Sequence, residues 1–136
     1  MITVQIPAPS SLSYTSPNVY TVGSAITTLT PTVTGTVASY SIGTTLPAGL
    51  SFNTGTGAIS GTPTAATAQA TYTVTATNST GSTTFDVVIT VQIPAPSSLS
   101  YTSPNVYTVG SAITTLTPTV TGTVASYSIG TTLPAG

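Results

Sequence analysis

Thr71-Tyr72-Thr73-Val74-Thr75-Ala76-Thr77 alternates without a break. On an extended strand successive side chains point to opposite faces, so Tyr72, Val74 and Ala76 share one face and four threonines the other. Asn78-Ser79-Thr80-Gly81 then supplies residues that favour a turn. Ser82 to Val91 resumes the alternation, with Phe85, Val87, Ile89 and Val91 on one side and Thr84, Asp86, Val88 and Thr90 on the other. Two alternating runs joined by a short polar turn predict an antiparallel hairpin with one apolar face.

Working outward, the signals are shorter but of the same kind. Val19-Tyr20-Thr21-Val22 ends at Gly23, and a strand is expected over residues 25–29, stopping before Pro31. Residues 37–42 place Ala38, Tyr40 and Ile42 on one side. Leu50-Ser51-Phe52 meets the turn-rich Asn53-Thr54-Gly55-Thr56-Gly57, followed by Ala58-Ile59-Ser60. β-Branched residues dominate, Lys, Arg and Glu are missing, and Pro or Gly recurs every few positions, so no helix is expected. About seven or eight short strands separated by frequent turns describe an all-β chain folded as a β-sandwich.

The hairpin sits between two copies of one sequence. Residues 2–49 and 89–136 are the same 48 residues, letter for letter, 87 positions apart. A fixed period of that length marks a repeat array in which each period is one structural unit. The expected organisation is a linker or strand segment at 2–9, identical to 89–96, then a complete sandwich at 10–91. A Pro-rich linker at 92–96 and the first half of a second unit at 97–136 follow. Gln92-Ile93-Pro94-Ala95-Pro96 matches Gln5-Ile6-Pro7-Ala8-Pro9, and its alternate prolines favour a short, semi-rigid extended path. Met1 leads directly into repeat sequence with no basic start or long apolar run, which reads as a segment whose targeting sequences lie outside it.

Composition excludes more than any motif establishes. There is no Lys, Arg, His, Cys or Trp, and Asp86 is the single acidic residue. Nothing can neutralise phosphates, so neither nucleic acid nor an anionic membrane surface is an expected partner, and no stretch is apolar enough to insert. No pair of titratable groups is available for acid–base catalysis, and a Ser or Thr nucleophile would lack an activating base. One carboxylate makes a poor metal cage, so Asp86 reads as a solvent-facing strand residue. No catalytic residue, metal ligand or cofactor is assigned, and the chain is expected not to be an enzyme. The apolar fraction of 39% with ordered alternation argues against disorder.

Three stretches carry a family resemblance. Leu46-Pro47-Ala48-Gly49-Leu50-Ser51-Phe52-Asn53 is followed by Thr56-Gly57-Ala58-Ile59-Ser60-Gly61-Thr62-Pro63 and then by Tyr72-Thr73-Val74-Thr75-Ala76-Thr77-Asn78. Together they resemble the immunoglobulin-like, cadherin-related repeats of large bacterial surface and secreted proteins; the "LPAG" opening recurs at 133–136. The resemblance implies a Greek-key immunoglobulin-like β-sandwich with a truncated second copy, in an extracellular or cell-surface setting. Beside it, Gly49, Gly57 and Gly61 are read as positions needing positive φ or close backbone approach, and Leu46, Leu50, Phe52 and Ile59 as core. Calcium-binding relatives carry acidic residues at domain junctions; the neutral Pro-rich junction here is not expected to bind calcium.

The function implied is a structural repeat of a stalk, adhesin or self-assembling surface fibre, with self as the expected partner. The second copy stops where its complementary strands would begin; the favoured expectation is that neighbouring segments of a longer repetitive chain or fibre complete it, the other that two such halves pack together across a symmetry axis. The alternative is a carbohydrate- or protein-binding module with an unknown ligand; Tyr14 and Tyr101 are then the best candidates for exposed aromatics, although packing in the core or at an edge is the more favoured reading of both. Asn78-Ser79-Thr80 has the spacing of an N-glycosylation acceptor, although turns rich in Asn, Ser and Gly arise for conformational reasons alone.

Overall fold

The computed structural model describes residues 1–135 and resolves two compact units, Met1–Ile93 and Pro94–Gly136. Gly136, the last residue of the expected half unit and of the recurring "LPAG", lies outside the described residues. Every regular element among the described residues is a strand.

In the first unit the long hairpin is the organising element. β7 (Thr67–Asn78) and β8 (Gly81–Gln92) pair antiparallel from Asn78↔Gly81 back to Thr67↔Val91, turning through Ser79 and Thr80. Tyr72, Val74, Ala76, Val87, Ile89 and Val91 are all buried, as the alternation predicts, and the threonines between them lie at or near the surface. β4 (Ser39–Ile42) adds to the β7 edge antiparallel, and β2 (Asn18–Thr21) adds to the β8 edge parallel, giving the order β2-β8-β7-β4.

The opposing layer is assembled from shorter pieces. β1 (Ser10–Ser13) pairs with β3 (Thr32–Thr34), and β5 (Leu50–Phe52) with β6 (Ile59–Gly61). A two-way backbone exchange between Leu29 and Ile59, N–O 2.9 Å each way, ties the segment leading into β3 to β6. The chain changes layer after β1, β2, β3, β4 and β6, which is the Greek-key path of an immunoglobulin-like sandwich. Leu12, Tyr14, Leu29 and Ile59 meet the buried face of the hairpin in one core, with Leu46, Leu50, Phe52 and Phe85 packed around it.

Several details depart from the sequence reading. Residues 25–29 form no strand: Ile26 N–H donates to Gly61 O at 3.0 Å and Leu29 pairs with Ile59, but β6 is only three residues long and cannot template a continuous ladder. The run at 37–42 begins as a strand only at Ser39. β1 and β3 are strands that the periodicity does not predict. Each carries one inward residue, Leu12 or Val33, and a bulge puts Ser11 at φ 55° between the pairs Ser10↔Thr34 and Ser13↔Thr32. Gly49, Gly57 and Gly61 all have positive φ, at 88°, 72° and 128°.

The second unit repeats only part of this. β9 (Ser97–Ser100) and β10 (Thr119–Thr121) pair as β1 and β3 do, with Ser98 at φ 57°. The counterparts of β2 and β4, at 105–108 and 126–129, are not strands.

Candidate functional site

No cluster of three or more His, Cys, Asp or Glu exists among the described residues. Asp86 lies exposed on β8, where its Oδ1 accepts a hydrogen bond from Thr73 Oγ1 across the hairpin at 2.6 Å. No helix among the described residues is long and apolar enough to cross a membrane. A groove of about 500 Å³ lies between β2 and residues 24–30 and is lined largely by Thr, Val, Ile and Leu. Tyr20 contributes its phenol there; the hydroxyl is buried without a hydrogen-bond partner, and burial raises its pKa above the usual tyrosine value.

The polar groups that do converge are at the end of the hairpin, around Asn78. Its side chain is buried although it sits in a surface turn. Nδ2 donates to Pro7 O at 2.7 Å and to Thr36 O at 2.9 Å. Oδ1 accepts from Thr80 N at 2.9 Å, Thr80 Oγ1 at 2.7 Å and Gly81 N at 3.2 Å. An amide has two donor hydrogens, and both are used. One side chain therefore ties three segments together: the entering linker, the β3–β4 connection and the hairpin turn. A sugar on Nδ2 would replace one of those hydrogens and the bond it makes. Ala8 packs so closely on the turn that a Cβ on Gly81 would stand 2.9 Å from the Ala8 methyl.

A second buried contact secures the opposite layer. Tyr14, a candidate for exposure only under the binding-module alternative and otherwise read as packing, is 7% exposed, and its hydroxyl donates to Gly57 O at 2.7 Å. Gly57 admits the ring because it has no side chain: a Cβ there would fall 2.8 Å from Tyr14 Oη, 2.8 Å from Tyr40 Cδ1 and 2.9 Å from Pro31 Cγ. Burial first, and the neighbouring Tyr40 second, push the Tyr14 pKa well above the usual tyrosine value. Tyr101, the same residue in the second copy, is 47% exposed.

These contacts place the chain's entry and exit. Pro7 and Ala8 lie against the β7–β8 turn, and from there β1 and β2 run in the direction of β8, with Asn18↔Ile89 through Thr21↔Gln92 paired in parallel. Ser16 Oγ accepts from Val88 N at 2.9 Å, and Val22 N–H donates to Gln92 O at 2.8 Å. β8 spans eleven residue steps from Gly81 to Gln92, or about 36 Å. The first unit is therefore entered at one end and left at the other.

Residues 1–94 match the family described as Putative Ig domain, He_PIG. The chain belongs to that family. The He_PIG match covers the whole first unit and ends at the Pro-rich junction. No curated protein sequence matches the chain. Among solved structures, the chain is similar to a chimeric titin Z1Z2 functionalised with an exogenous KLER peptide from decorin. That likeness has 21% identity and a TM-score of 0.45, and covers 67% of this chain and 100% of that one. It is also similar to the titin domains Z1Z2 in complex with telethonin, with 20% identity, a TM-score of 0.46, and 74% and 55% of the two chains covered.

Proposed function

We propose that this He_PIG chain is a structural repeat, a load-bearing spacer in an extracellular stalk, adhesin or self-assembling surface fibre of a bacterial protein, and that it is not an enzyme. The observation that carries the reading is the path of the backbone. The linker enters beside the β7–β8 turn, the chain leaves after Gln92 about 36 Å away, and the entry and exit strands are parallel. Tension applied through the two ends pulls β2 and β8 in opposite directions along their own axes. Their hydrogen bonds then share the load and break together rather than one at a time. Asn78 supports the same reading, because it clamps the entering linker to the far end of β8. The absence of any charged cluster, and the 48-residue identity between the two copies, fit a part whose work is spacing.

Single-molecule stretching of the chain held at its two ends tests this. Roughly 80 residues lie between β1 and the end of β8; at about 3.6 Å each, less the folded span, they should be released in one rupture of about 26 nm. Gradual extension without a discrete rupture would remove the load-bearing role.

A further inference from the structure

β7 is twelve residues long, but β4 pairs only with Val74–Thr77, and Gly43 N–H donates to the Thr73 carbonyl at 3.0 Å. Thr67–Tyr72 therefore has β8 on one side and, among the described residues, no backbone bond on the other. Thr73 and Thr77 turn their carbonyls away from β8, so Thr71, in the same alternation, turns its N–H and C=O to the open edge. An open edge is a template for another strand, and a second copy of this chain carries an identical one. Charged side chains, Lys above all, are the usual deterrent, and this chain has no Lys or Arg. β2, β4, β5 and β6 are protected by being four residues long or less. β7 is not short, but its open stretch is irregular. Thr67 pairs with Val91 and Ala70 with Ile89, so three steps along β7 face two along β8. Ala68 and Gln69 lie within that bulge and both are exposed, while Ala70 packs on the core and Tyr72 is buried. The extra residue makes no core contact; its effect is to bend and twist the strand at the open edge. β1, which has only β3 beside it in its sheet, carries a bulge as well, at Ser11.

We propose that the bulge at Ala68–Gln69 guards β7 against edge-to-edge pairing with a second copy of this chain, in place of the charges that the sequence lacks. With a net charge of −1, copies hardly repel one another, so the guard has to be built into the backbone. Deleting Gln69 leaves Thr67-Ala68-Ala70-Thr71, which restores strict alternation and keeps Thr67 and Ala70 on the side of Val91 and Ile89. Ala68 and Thr71 would then both face the open edge, about 6.8 Å apart, as a regular ladder requires. Two such edges can pair antiparallel across a two-fold axis. The guard acts at the edge of the folded unit and does not depend on a load-bearing role.

Amide hydrogen exchange of the isotope-labelled 136-residue chain, followed by NMR at about 50 µM and about 1 mM, tests this at the edge itself. With Gln69 deleted, the Thr71 amide should slow about tenfold on concentration, while in the natural sequence it should change less than about twofold. Adding Thr71→Lys to the deletion sets like charges near each other across the two-fold and should abolish the slowing. Slow exchange at Tyr72 and Val74, whose amides face β8, shows that the hairpin is intact in each variant. A second variant lacking Ala68 instead of Gln69 straightens the same edge and should behave alike. A Thr71 amide indifferent to concentration in both deletion variants, or one that slows on concentration in the natural sequence, overturns the proposal. Loss of the β7–β8 ladder in both variants overturns it too, because the bulge would then belong to the fold's own register.

Discussion

Asn78 offers the sharpest perturbation, because its geometry makes two substitutions diverge. Asn78→Ala removes five hydrogen bonds and leaves Pro7 O, Thr36 O, Thr80 N and Gly81 N to find other partners. At a net 0.5–1.5 kcal/mol per lost pairing, with the turn amides partly recovered by water, the cost is about 3 kcal/mol. Asn78→Asp is nearly isosteric and keeps the three bonds accepted by Oδ1, so hydrogen-bond counting alone would make it the milder change. It should instead be at least as damaging at pH 7, because a carboxylate oxygen then faces two carbonyl oxygens where Nδ2 stood at 2.7 and 2.9 Å. Burial and those carbonyls raise the folded-state pKa of the new carboxyl above its unfolded value near 3.9. Stability of this variant is therefore greatest below about pH 4 and is lost as pH rises through the folded value. Urea denaturation followed by far-UV circular dichroism at pH 3, 5 and 7 measures it, with a midpoint at pH 7 lower than wild type by about 2 M. An Asn78→Asp protein within 0.5 kcal/mol of wild type at pH 7, or one insensitive to pH, would refute the clamp.

Three other outcomes follow from particular contacts. Gly57→Ala should cost about 3 kcal/mol, since the residue has φ 72° and its methyl would meet Tyr14, Tyr40 and Pro31; thermal unfolding reads it. Ser11→Gly should raise the melting temperature by a few degrees, because Ser11 holds φ 55° in an exposed bulge and glycine takes that conformation freely, less its own chain entropy. The raised pKa of Tyr14 means that the unfolded chain ionises first, so its contribution is intact below about pH 10 and falls as pH rises beyond it, by up to about 1.4 kcal/mol per pH unit. Denaturation between pH 9 and 12 checks this, and Tyr14→Phe should show the shallower alkaline loss.

What was legible in the sequence was what repeats at short range. Tyr72, Val74 and Ala76 against the intervening threonines, and Phe85 through Val91, fix the hairpin and its buried face because strand periodicity is local. Gly49, Gly57 and Gly61 could be read as special backbone positions because glycine's conformational freedom is a local property too. The rest depends on distant partners. Tyr14 is buried because Gly57, 43 residues away, leaves room for it and accepts its hydroxyl. Asn78 looks like an ordinary turn residue until Pro7 and Thr36, 71 and 42 residues away, arrive at its amide. β1 and β3 are invisible to periodicity because each has one inward side chain and a bulge interrupts their register. Residues 25–29 look like a strand by composition, but the three residues of β6 offer them only scattered partners.

The identity of the two copies makes one measurement especially direct. Amides at Asn18–Thr21 and at 105–108 have the same neighbours in sequence and hence the same intrinsic exchange rates, so any difference between them reports structure alone. In the chain by itself, hydrogen exchange resolved by NMR should be at least 1,000-fold slower at the alternate amides of Asn18–Thr21 that face β8 than at their counterparts in 105–108. Rates within about threefold of each other at the two sites would contradict the account, because the hairpin would then not be what turns this sequence into a sandwich.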